Sequence, residues 1–99
     1  MESSKRRQFK SLEREIRAIL ILDWDPIGVG SEVPDEYDYC VHRVISLLLR
    51  GAGKAALAAM LDAIVRQEMG LAPRAETSQM AADRCLQIWA KSPLGTDPA

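Results

Sequence analysis

The sequence predicts an all-α fold: a compact bundle of four helices with a long ordered loop between helices one and two. Three observations carry this. Apolar residues recur at helical spacing in four separate stretches, Gly and Pro punctuate the gaps, and no run alternates apolar with polar residues as a half-buried strand would. The 99 residues suit one small domain. It is expected over 1–91, with 92–99 a loose tail carrying two prolines and a glycine.

Helix one is expected from about residue 4 to residue 23. Phe9, Leu12, Ile16, Ile19 and Leu20 share one arc and form its core stripe, and Arg6, Arg7, Lys10, Arg14 and Arg17 share the neighbouring arc. Ser3 or Ser4 suits the N-cap, and Glu13 with Arg17 makes a favourable i,i+4 pair. Ile21 and Leu22 fall outside the stripe, which predicts that the end of this helix is covered on several sides.

From Trp24 to Pro34 the pattern breaks. Asp25-Pro26-Ile27-Gly28 fits a type I turn, with Asp first, Pro second and Gly fourth. Pro26 also disfavours helical geometry at Asp25. A connection this long inside a compact domain is often functional.

Helix two is expected from about residue 38 to residue 50, with Asp35 or Asp38 as its cap and Gly51 as the residue that ends it. Tyr37, Val41, Val44, Ile45, Leu48 and Leu49 spread over so wide an arc that this helix reads as the central one. Helix three is expected over about 53–69. Leu57, Met60, Leu61, Ile64 and Val65 face one way, and Ala56, Ala59 and Ala63 form a strip that could admit a close neighbour or simply raise helix propensity. Gly70 ends it. Helix four is expected over about 73–91, with Pro73 at its first position and Ala81, Ala82, Cys85, Leu86, Ile88 and Trp89 on its inner side.

The charge balance is nearly flat, 13 Lys and Arg against 14 Asp and Glu, which excludes a globally basic nucleic-acid binder. The distribution is not flat. Residues 1–17 carry six positive and three negative charges, 18–40 carry six negative and none positive, and 41–99 carry seven positive and five negative. Two cysteines, Cys40 and Cys85, lack paired spacing and are expected to be reduced and buried, as in a cytoplasmic protein. The apolar run behind the basic N-terminal stretch, Ala18 to Leu22, is far short of the ~20 residues of a spanning helix, so no membrane segment is expected.

Catalytic signals are weak. Gly51-Ala52-Gly53-Lys54 glances at a phosphate loop, but Leu48 stands where the earlier Gly belongs and Ala55 where Ser or Thr belongs, so it reads as a helix–helix turn. His42 is the single histidine, with no nucleophile paired to it. Cys40, two residues away, points to another side of the helix, which argues against a zinc site. Neither catalytic residues nor a cofactor nor a metal site is expected.

The acidic stretch of Asp23, Asp25, Glu32, Asp35, Glu36 and Asp38 admits three readings. Turns, caps and the basic face of helix one account for its charges; it is a recognition surface for a basic partner, with Trp24, Tyr37 and Tyr39 as anchors; or its carboxylates hold a hard cation, although EF-hand spacing is absent. The five cations on helix one could touch nucleic acid or acidic lipid, but a solvated face, or one paired with the acidic loop, is the favoured expectation.

The segment Trp24-Asp25-Pro26-Ile27-Gly28-Val29, followed by Asp35-Glu36-Tyr37-Asp38, resembles the YugE-like small bacterial proteins, a family of unknown function. The match covers Trp24 to Asp38; the flanking helices agree in pattern and length only. The resemblance implies a helical bundle in a bacterial, cytosolic protein, and suggests an immunity-type role beside a toxin. It brings no catalytic residues. Relatives often carry Pro after the last motif Asp, where this chain has Tyr39. Every motif residue also has a structural role: Trp24 plugs the loop onto the bundle, Tyr37 packs against helix one, and Asp25, Pro26 and Gly28 set the turn.

The combined expectation is a non-enzymatic protein-binding module whose partner, such as a toxin domain, presents a basic surface to Trp24, Asp25, Asp35, Glu36, Tyr37, Asp38 and Tyr39. The alternative is a regulatory or nucleic-acid-associated protein using the basic face of helix one.

Overall fold

The computed structural model describes residues 2–25 and 37–92. Four α-helices follow one another: α1 Glu2–Ile19, α2 Asp38–Leu49, α3 Lys54–Ala63 and α4 Ala75–Lys91. No strand occurs among the described residues. Two of the helices widen at their C-terminal ends into π-helical segments, Leu20–Trp24 after α1 and Ile64–Glu68 after α3. Each closes on a bond to the carbonyl five residues back, Asp25 N–H to Leu20 and Met69 N–H to Ile64.

The helices form a square. α1 packs on α2 and α4, and α3 packs on α2 and α4, the α3–α4 interface being the most extensive. Two ion pairs fix the direction of α2 against α1: Glu13 meets His42 and Arg17 meets Asp38. One turn forward on α1 is one turn back on α2, so the two run antiparallel. The N-terminal turns of α1 lie beside Lys91 and Ser92, and Asp23 beyond its C-terminal end meets Arg84, so α4 also runs antiparallel to α1. The arrangement is that of an up-and-down bundle.

The core is built from each helix's apolar stripe: Leu12, Ile16 and Leu20; Val41, Val44 and Leu48; Leu57, Leu61 and Ile64; Ala81, Ala82 and Cys85. The small residues that permit close approach are on α4, where Ser78, Ala81 and Ala82 are fully buried. On α3 the expected strip does not serve this purpose. Ala56 and Ala59 face solvent, and their contribution is helix propensity.

The α2–α3 connection follows from one residue. Gly51 has φ +81, a backbone region that side chains with a Cβ rarely enter. Its N–H bonds the Leu48 carbonyl, and the next N–H, of Ala52, bonds that of Leu47, so the last carbonyls of α2 are satisfied in a Schellman cap. Gly70, at φ +66, ends the second π segment as expected.

Several expectations are corrected. α1 already contains Ser3 and Ser4, so neither caps it. Phe9 is exposed at the edge of the stripe, and Leu22 is 79% exposed because the wider π turn swings it outward. α2 is one corner of the square, no more central than its neighbours, and Leu49 lies on its outer side. Tyr37 takes the N-cap position of α2 and Asp38 is its first helical residue, with no side-chain cap bond. α4 starts at Ala75, two residues after Pro73. The Asp25–Gly28 turn and the cap assigned to Asp35 lie outside the described residues.

Candidate binding site

The π segment Leu20–Trp24 carries the acidic stretch into the fold. Its wide turn buries Leu20 and Trp24 and leaves Asp23 beside α4, where Arg84 donates to both carboxylate oxygens at 3.1 and 3.2 Å. Asp25 then leaves the helix at φ +28, ψ +62, a positive-φ backbone that a short polar side chain tolerates better than most, although the following proline favours extended geometry. Twelve residues later the chain returns at Tyr37, which is fully enclosed. The Tyr37 hydroxyl donates to the Asp25 carboxylate at 2.7 Å, and its ring meets that of Trp24 edge to face with centroids 5.4 Å apart.

The residues expected to meet a partner therefore divide. Trp24 is 5% exposed and Tyr37 is fully buried, so neither presents a ring to a partner. Their large apolar faces gain more from the core than from water. This corrects their role as anchors, while Trp24 does seat the loop entry on the bundle. Asp25 is held by Tyr37, and Asp38 accepts a hydrogen bond from Arg17 Nε at 2.7 Å. Tyr39 is 43% exposed. Partial burial and its hydrogen bond with Cys40 push its hydroxyl up to about 12. Asp35 and Glu36 lie outside the described residues.

Of the five cations on the basic arc of α1, only Arg17 has an ion-pair partner among the described residues. Arg6, Arg7, Lys10 and Arg14 are exposed and have none. The expected Glu13–Arg17 pair within α1 is replaced by two bonds to α2, because Glu13 takes His42 at 2.7 Å. On α2, Arg43 donates to Glu68 of the second π segment. His42, Arg43, Ser46, Leu47 and Arg50, with Met60 from α3, line a shallow groove of about 290 Å³. The spacing of Glu13 and Arg17 against Asp38 and His42, four apart in both, was the signal for the α1–α2 seam.

Both thiols are buried. Burial pushes Cys40 up to about 11, and burial together with the Asp23 carboxylate pushes Cys85 up to about 12. Among the described residues no three His, Cys, Asp or Glu converge as a metal would require, and no helix is long and apolar enough to cross a membrane.

Compared with known proteins, the chain matches no protein family, no curated protein and no solved structure.

Proposed function

We propose that the chain is a small non-enzymatic protein-binding module of the bacterial cytoplasm, and that its partner presents a basic surface, as a toxin domain does to an immunity protein. The observation that carries this reading is the closed base of the acidic segment. Asp25 and Tyr37, twelve residues apart, are joined by a hydrogen bond and seated beside Trp24. This bond fixes the two points at which the segment leaves and rejoins the bundle. Glu32, Asp35 and Glu36 lie between those ends in sequence with no cation among them, and the half-exposed Tyr39 follows. The non-enzymatic part of the reading is supported by thiols held far from their reactive, ionised form. The immunity form rests on the resemblance to the YugE-like proteins.

Binding to the toxin-like product of a neighbouring gene tests the proposal. Asp35→Asn combined with Glu36→Gln weakens that binding if the acidic segment is the interface, and Tyr39→Ala weakens it further. Unchanged affinity in both variants removes the segment as the interface.

A second reading, a nucleic-acid-associated role for α1, is favoured by the four exposed cations that no described carboxylate neutralises.

A further inference from the structure

We infer that α1 and α2 together form a phosphate-binding face for single-stranded nucleic acid, so that the site extends beyond α1 onto the α2 groove; this rests on the second reading above. The seam supplies the geometry. Glu13–His42 and Arg17–Asp38 lock the two helices antiparallel at one edge of each. The helical repeat then turns Lys10 and Arg14 outward from the α1 edge, and Ser46 and Arg50 outward from the α2 edge, onto the same side of the bundle. All four are exposed. Arg50 and Ser46 also line the α2 groove beside His42 and Arg43.

The charges on this face do not cancel. Arg17 is balanced by Asp38 and Arg43 by Glu68, while Glu13 is hydrogen-bonded to His42. Arg6, Lys10, Arg14 and Arg50 have no ion pair among the described residues. From Arg6 to Arg17 the row is ~16 Å long at the rise of an α-helix, with Lys10 and Arg14 one turn apart along it. Such a row tracks a phosphate backbone, and the groove adds a hydroxyl donor and a guanidinium beside it. One partly exposed aromatic ring, Tyr39, shares the outward side of α2 with Ser46 and Arg50. An exposed ring beside a row of cations suits an unstacked base, which can lie on the ring while its phosphate meets a cation. A flat pair of helices offers no projecting element for a duplex groove, which favours the single strand.

Fluorescence anisotropy with a short labelled RNA of mixed sequence, titrated between about 50 and 200 mM salt, tests this. Log affinity is expected to fall linearly with log salt, with a slope of about −2 to −4 for three to five phosphate contacts. Lys10→Gln with Arg14→Gln, and separately Arg50→Gln, weaken binding and flatten the slope by ~0.7 per cation removed. Tyr39→Ala weakens binding roughly five-fold or more. Arg74→Gln, before α4, leaves it unchanged, and circular dichroism confirms that every variant keeps its helix content. Loss of binding in the α1 variant with none in Arg50→Gln leaves the α1 reading standing and overturns the two-helix site. Binding that is absent or insensitive to salt overturns both. Tighter binding to duplex, or to vesicles containing anionic lipid, overturns the assignment to single strands.

Discussion

The Tyr37 hydroxyl and the Asp25 carboxylate, 2.7 Å apart, join the two ends of the acidic segment across twelve positions of sequence. The bond links two unusual features. Tyr37 is a phenol with no exposed surface, whose polar atom must find a partner inside. Asp25 is the one non-glycine residue with positive φ among those described. Each accounts for the other: the carboxylate satisfies the phenol, and the phenol helps hold Asp25 in a backbone region that costs energy.

Tyr37→Phe therefore leaves the Asp25 carboxylate without this donor and keeps the ring. We expect a loss of ~1.5–3 kcal/mol in unfolding free energy, the range for a hydrogen bond to a charged group. Asp25→Asn retains an acceptor and tolerates the left-handed region, so its loss is smaller. Asp25→Val loses both and falls furthest. Urea denaturation of the three variants gives the order directly; equal losses in all three would show that the hydrogen bond contributes nothing.

The α1–α2 seam depends on two partly exposed ion pairs, Arg17–Asp38 and Glu13–His42. Exposed pairs of this kind contribute ~0.2–1 kcal/mol and are screened by salt. A double-mutant cycle of Arg17→Ala and Asp38→Ala is expected to give a coupling in that range at low salt and a smaller one at high salt. A coupling of zero at low salt contradicts the seam as drawn.

How much of this was legible beforehand depended on range in the sequence. The four helices, the Gly51 cap and the Gly70 stop follow from spacing and backbone freedom, which are local, and the structure bears them out. Leu22 lies off the stripe as the 100° wheel has it, but the cover expected over it is missing, since it sits in the π segment at 79% exposure. Trp24 and Tyr37 were open to two readings, anchors or core, because burial is decided by what lies across the bundle. Glu13 and Arg17 form a good local pair on paper, yet each finds a better-placed partner on α2. The charge of the whole chain concealed the basic row on α1, since its partners in the total lie elsewhere in the sequence.

Ser78 yields a prediction of the opposite sign. Its side chain is 1% exposed, on the face of α4 that carries the small residues, and its hydroxyl has no hydrogen-bond partner among the described residues. A buried hydroxyl left unsatisfied is a standing cost, and Ser is a weaker helix former than Ala. Ser78→Ala is expected to raise stability by ~0.5–1.5 kcal/mol, read as a higher denaturation midpoint with an unchanged slope. A drop in stability would mean that the hydroxyl has a partner after all.

The two thiols give the chain a pH limit on the alkaline side. Cys40 is held up to about 11 and Cys85 up to about 12, both by burial, against an ordinary value of 9. Above pH 9 the unfolded chain releases these protons while the folded chain keeps them, so the unfolded state binds fewer protons and stability falls with rising pH. The stabilisation from burying neutral thiols is fully present below pH 9 and is lost as pH climbs through 11 and 12. The same burial protects the thiols chemically, because the thiolate is the reactive form. At pH 8, labelling of the native protein with an alkylating reagent is expected to be slow at both cysteines, and rapid once denaturant opens the bundle. Cys85→Ala removes one of the groups held up, leaving Cys40 and Tyr39, and should make the alkaline decline shallower, whatever it does to stability at neutral pH. An unchanged decline in that variant, or fast labelling of the native chain, would place Cys85 outside the core.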